Sequence, residues 1–154
     1  MNKSFNILRL SFHILNFITI VLYLYPGSIL GWLIYDNIQY QPQLTKNYLD
    51  ISSNHLYVFF LLSILGLFCY FNHSKFKFLI YYLFFLSIVL ELFHIVIPER
   101  SFQFQDLAGN ILGVTISCFI ALIYKYWRKL RVHLMIEKKV LKKNLFVMKK
   151  CNSK

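Results

Sequence analysis

The sequence predicts an all-α membrane protein, a bundle of four transmembrane helices with both termini in the cytoplasm and a basic amphipathic C-terminal tail. Three observations predict it. Hydrophobic residues make up 58% of the 154-residue chain and charged ones only 15%, against roughly 45–50% and about 25% in soluble domains. Four apolar runs each come close to the roughly 20 residues that cross a bilayer. Lys and Arg are spread very unevenly over the segments between those runs.

The first run covers about residues 7–25 and is interrupted by Pro26 and Gly27. Lys3 and Arg9 at its start resemble the basic region of a secretory signal. The Tyr-Leu-Tyr-Pro-Gly-Ser that follows lacks a small-residue cleavage site, so the run reads as an uncleaved first helix. Gly27 and Gly31 then open a short apolar piece, Ile29 to Tyr35, whose Trp32 and Tyr35 suit a membrane interface. It is either the end of a kinked first helix or a half-buried hairpin. The other runs cover about 51–71, 76–97 and 106–126. Residues 1–126 form the transmembrane domain and 127–154 the tail.

Charge sets the orientation. The N-terminus carries Lys3 and Arg9, the turn between runs two and three carries Lys75 and Lys77, and eleven of the seventeen basic residues fall between Lys125 and Lys154. The connections 36–50 and 98–105 hold one each, Lys46 and Arg100. The positive-inside rule then places both termini and the middle turn in the cytoplasm. In the tail, Leu130, Leu134, Met135, Leu141 and Leu145 interleave with the basic residues, a pattern for a helix on anionic inner-leaflet lipid; a solvated basic tail is the alternative. Nucleic acid is not expected as a partner, because the charge follows directly after a membrane run. Cys69, Cys118 and Cys151 have neither the spacing of a zinc site nor the even number of a disulfide framework.

The richest segment is Glu91 to Gly113. At 1.5 Å per residue Glu91 lies roughly 9 Å inside the third helix, and Ser87, Glu91 and His94 share one face. On the fourth helix Asp106, Gly109, Asn110, Gly113 and Ser117 form one stripe. His55, with Asn54 beside it, enters the second helix from the same side. The candidate polar site is therefore His55, Glu91, His94, Arg100, Asp106 and Asn110, at the outer leaflet. Intramembrane ionisable groups are costly and usually functional. Glu91 must stay protonated or take His55, His94 or Arg100 as partner. Structural readings stand beside this one. Asp106 can be an N-cap, Asn110 an interhelical hydrogen bond, and Gly109-x-x-x-Gly113 a close helix contact. Glu91-x-x-His94 has the spacing of carboxylate-bridged metal sites, but such sites need further glutamates; a single-metal set of His55, Glu91, His94 and Asp106 is the alternative, set against the complete ligand sets of metal sites, so no metal or other cofactor is expected. Phosphate-loop, serine-elbow and zincin motifs are absent.

These residues resemble the VanZ-like family of small bacterial membrane proteins, named for a teicoplanin-resistance protein. His55 matches the histidine that opens the second helix, Glu91 the glutamate ending the third, Arg100 the loop arginine, and Asp106, Asn110 and Gly113 the final Asp-x-x-x-Asn-x-x-Gly motif. The resemblance covers roughly residues 15–125. Ser52 stands where the family has lysine, and His94 where it has glutamine. The resemblance implies a multi-pass bacterial inner-membrane protein connected with the cell envelope and, in some members, glycopeptide resistance. Together with the polar site it leads to the expectation of a membrane protein that binds an envelope lipid or glycolipid headgroup. The alternatives are an acid/base enzyme on a lipid-linked substrate and a structural or assembly subunit. Self-association is left open.

Overall fold

The computed structural model describes residues 3–43 and 51–151. Lys46 lies outside them, as does the Leu145 side chain. Among the described residues the chain is all helix, with α1 (Lys3–Leu24), α2 (Ile29–Tyr35), α3 (Ser53–Cys69), α4 (Phe76–Phe93) and α5 (Phe104–Cys151) and no strand. Three stretches are long and apolar enough to cross a membrane: Asn6–Leu24, Phe76–Phe93 and Phe104–Lys139. Helix α3 is apolar but shorter, at 17 residues.

Local chemistry explains the breaks. α1 stops ahead of Pro26, whose ring disfavours helical backbone in the residue before it, and Gly27 takes a left-handed φ of 79°. Ser28 then caps α2, its Oγ accepting the Gly31 N–H at 2.9 Å. Asp36, at φ 51°, closes that helix in the left-handed region. The chain returns across α2, with the Ser28 N–H on Ile38 O at 2.7 Å. A Cβ at Gly31 would run into the Tyr40 carbonyl. Ile29–Tyr35 is thus a separately capped helix and not a continuation of α1, with the chain folding back over it after Asp36.

α4 ends at Phe93, four residues short of the apolar run, and His94 is its C-cap. The following residues form tight turns, with Ile95 N–H on Leu92 O and Arg100 N–H on Ile97 O, the second enclosing Pro98 and the left-handed Glu99. α5 begins at Phe104, which puts Asp106 in its first turn. Asp106 is therefore not the N-cap that the sequence allowed; there its charge complements the positive end of the helix dipole.

The chain divides into two compact units, Met1–Ala121 and Leu122–Lys154. In the first, apolar side chains at the centre include Phe12 and Tyr23 of α1, Phe59 and Leu62 of α3, Leu83 and Leu90 of α4, and Val114 of α5. Outward faces are also apolar, as at Phe17, Phe85 and Phe119, each 66–67% exposed. Polar residues sit inside: Thr19, Ser63, Ser87, Glu91, Asn110 and Ser117 are buried. An apolar exterior over a polar-spotted interior is the arrangement expected when lipid is the solvent. α5 approaches α3 closely at its glycines. A Cβ on Gly109 would lie 2.6 Å from Ser52 O and one on Gly113 2.5 Å from Leu56 O, while Ser117 Oγ reaches Phe60 O at 3.0 Å. Nothing larger than hydrogen fits there.

The second unit is helical through Cys151, and its described side chains from Leu122 to Lys142 are exposed. His133 and Glu137 make an exposed i,i+4 pair at 3.7 Å.

Candidate functional site: a polar cluster inside the helix bundle

One polar cluster joins α1, α3, α4 and the start of α5. Its orientation follows from a chain of hydrogen bonds. Asn110, fully buried, donates from Nδ2 to the Ser87 carbonyl at 3.2 Å. Its Oδ1 is therefore the acceptor facing Tyr23, whose hydroxyl donates to it at 2.7 Å. His55 Nδ1 lies 2.9 Å from the Tyr23 oxygen and 3.2 Å from Asn110 Oδ1. Because the Tyr23 proton is already committed, both atoms can only accept, so Nδ1 is the protonated nitrogen of His55. Its Nε2 then points at Asp106 Oδ2, 3.5 Å away.

Glu91 sits beside this chain with 0% of its side chain exposed. Its Oε1 accepts the Gln103 backbone N–H at 3.2 Å and lies 3.2 Å from His94 Nδ1. The other nitrogen of His94, Nε2, meets the Tyr23 carbonyl at 3.1 Å and so donates. The Glu91–His94 pair consequently shares one extra proton, as an imidazolium–carboxylate pair or as two neutral groups. The opposite carboxyl oxygen, Oε2, is buried without a hydrogen-bond partner; its nearest ring nitrogen is His55 Nδ1 at 3.8 Å. The Tyr23 ring stacks on His94 at 5.7 Å between centroids and meets His55 edge-on at 5.2 Å.

Arg100 occupies the rim. It donates from Nε to Tyr25 O at 3.4 Å and from a terminal nitrogen to Leu22 O at 3.1 Å, covering carbonyls left open at the end of α1. Partial burial is the chief influence on its pKa and lowers it from the ordinary value, with nearby Tyr23, Glu91 and Asp106 opposing. The guanidinium stays charged regardless. An open cavity of about 120 Å³ lies against it, walled by Tyr23, Ser28, Asn54, His55, His94 and Arg100 among others. That volume is well below the roughly 300–1,000 Å³ of a pocket for a whole drug-sized ligand. It suits one small polar group.

All six residues singled out from the sequence meet in this region. His55 contacts Glu91, Asp106 and Asn110, and Glu91 contacts His94, whereas Arg100 is held by the Leu22 and Tyr25 carbonyls. No family model, curated protein or solved structure matches the chain.

Sequence reasoning missed Tyr23, the centre of the cluster. It lies in the run Val21-Leu22-Tyr23-Leu24-Tyr25, where a tyrosine reads as an interface residue. No signal in the sequence separates it from its neighbours; in the fold Tyr23 is 7% exposed, and its hydroxyl takes partners as buried tyrosines do. A second polar set was also missed. His13 Nε2 lies 3.1 Å from Tyr70 OH, and Asn16 and Tyr82 OH exchange hydrogen bonds at 2.8 and 3.0 Å. Arg9 lies over the Tyr70 ring at 5.3 Å.

Proposed function

We propose that the chain is a VanZ-like multi-pass protein of the bacterial inner membrane that binds the headgroup of an envelope lipid or glycolipid from the outer face. The observation that carries the reading is the cavity where Arg100, His55, His94 and Asn54 converge. Arg100 supplies the charge for an anionic group, and His55 Nε2 is the ring nitrogen left to orient it. The small volume fits a headgroup fragment while the acyl chains remain in the bilayer.

The topology in this proposal has four spans with both termini in the cytoplasm. The uneven Lys and Arg distribution supports it. The 17 residues of α3 are at the lower end of the roughly 17–25 that span a bilayer. In the same topology the basic second unit lies on the cytoplasmic side, where anionic inner-leaflet lipid is its partner.

The test is binding of full-length protein in nanodiscs to vesicle-extracted anionic envelope lipids against zwitterionic controls. Arg100→Ala should weaken binding about 10- to 100-fold, the equivalent of about 1.5–3 kcal/mol for a hydrogen bond to a charged group. Arg100→Lys should recover part of it. Equal affinity of Arg100→Ala and the parent, at equal thermal stability, sinks the proposal.

A second reading, acid/base chemistry on a lipid-linked substrate, draws on the unpartnered Glu91 Oε2 beside His55. No activated nucleophile stands near it among the described residues. Purified protein that leaves lipid-linked substrates unchanged between pH 5 and 9 would rule this reading out. If the cluster only locks the helices together, Glu91→Gln lowers abundance and envelope phenotype in proportion; under the binding proposal the phenotype falls further than abundance does.

A further inference from the structure

The geometry points to a divalent transition-metal site, of the kind that takes zinc, held by His55, Glu91 and Asp106. This goes beyond headgroup binding and holds whether or not any lipid enters the cavity. The sequence argued against a metal because it offered one Glu-x-x-His motif and no spare glutamates. The structure narrows the single-metal set by one residue: His94 drops out, since both its nitrogens are engaged.

Three features support the assignment. Ligand atoms of His55, Glu91 and Asp106 all lie within 4.8 Å of one another. The 3.5 Å between His55 Nε2 and Asp106 Oδ2 is longer than a good hydrogen bond. It matches the edge of about 3.4 Å that tetrahedral geometry requires with metal–ligand bonds of about 2.1 Å. The third is independent of the spacing. Glu91 Oε2 is buried with no hydrogen-bond partner, 3.8 Å from the His55 ring at Nδ1, although leaving such an atom unsatisfied is costly.

The surrounding groups are those that tune a metal ligand. Protonation of His55 at Nδ1, imposed by Tyr23 and Asn110, leaves the Nε2 lone pair free for a metal. Glu91 Oε1 is tied by the Gln103 N–H and His94, which aims Oε2. Orientation of ligands by a second layer of hydrogen bonds is the norm in metal sites. One imidazole and two carboxylates suit zinc or manganese rather than a soft, thiolate-seeking ion. Three protein ligands leave a fourth position for water or a ligand.

The experiment uses full-length protein in detergent, stripped with a chelator, then dialysed with Zn²⁺ and analysed for bound metal. A parallel Co²⁺ titration reads the intense visible band of a four-coordinate site. The expected result is one metal per chain, with the cobalt band displaced by zinc. Asp106→Asn should weaken binding at least tenfold while keeping its helical content, and His133→Ala, on the exposed basic helix, should bind as the parent does. Glu91→Gln is the stronger test where it folds. Folded parent protein that takes up no stoichiometric metal overturns the inference, as does an Asp106→Asn variant with unchanged affinity.

Discussion

Tyr23 shows how much one side chain decides here. Its hydroxyl fixes Asn110 and His55, its ring stacks on His94 and its carbonyl holds the other nitrogen of that histidine. Tyr23→Phe keeps the ring and removes the hydroxyl. Interhelical hydrogen bonds in membranes average about 0.6 kcal/mol and reach about 1.7. Because this hydroxyl serves two partners, a loss of about 1–2 kcal/mol is expected, read as a lower thermal midpoint in detergent. A midpoint equal to the parent's would mean that the network contributes no stability. His94→Gln introduces the residue carried at this place by the family proposed above. It removes the proton shared with Glu91, so the variant should change the affinity for an anionic lipid more than it changes folding; a change confined to stability would assign His94 to packing.

At the scale of elements, the contact between α3 and α5 rests on the absence of side chains. Gly113→Ala puts a methyl group 2.5 Å from Leu56 O and 2.8 Å from Phe60 N, backbone atoms that cannot rotate away. Overpacking of this kind costs about 1–3 kcal/mol. The same push would separate Asn110 from Tyr23, so headgroup or metal binding should fall together with stability. Unchanged stability would show that the two helices can part without loss. The Gly-x-x-x-Gly spacing was legible in the sequence, and so was the inward face of Ser87, Glu91 and His94, because helical periodicity alone aligns them. The independence of α2 was not. Nothing in Ile29 to Tyr35 distinguishes a kinked extension from a separate helix; the Ser28 cap and the return of Ile38 across it do.

For the whole molecule, the decisive property is that the outward faces of its first unit are apolar. Phe17 on α1 is 67% exposed, and it lies mid-way along a stretch long enough to span. A charge in the middle of a span costs roughly 2.5–3.5 kcal/mol on insertion scales. Phe17→Lys should therefore reduce membrane integration measurably in a glycosylation or protease-protection assay, whereas Phe17→Leu should not. Normal integration of the lysine variant would argue against α1 as a span. Removing residues 127–154 should reduce association with anionic vesicles, at about 1 kcal/mol for each basic residue near the surface, and leave the polar cluster unaltered.

Composition and periodicity were enough for a helical chain with membrane-length apolar stretches, and for the residues that would meet, because both depend on local properties: hydropathy summed along a segment and the angle between successive side chains. Contacts between segments far apart in the chain depend on packing. Only the folded arrangement places Tyr23 at the centre, assigns Arg100 to the Leu22 and Tyr25 carbonyls, and leaves Glu91 Oε2 without a hydrogen bond close to the His55 ring.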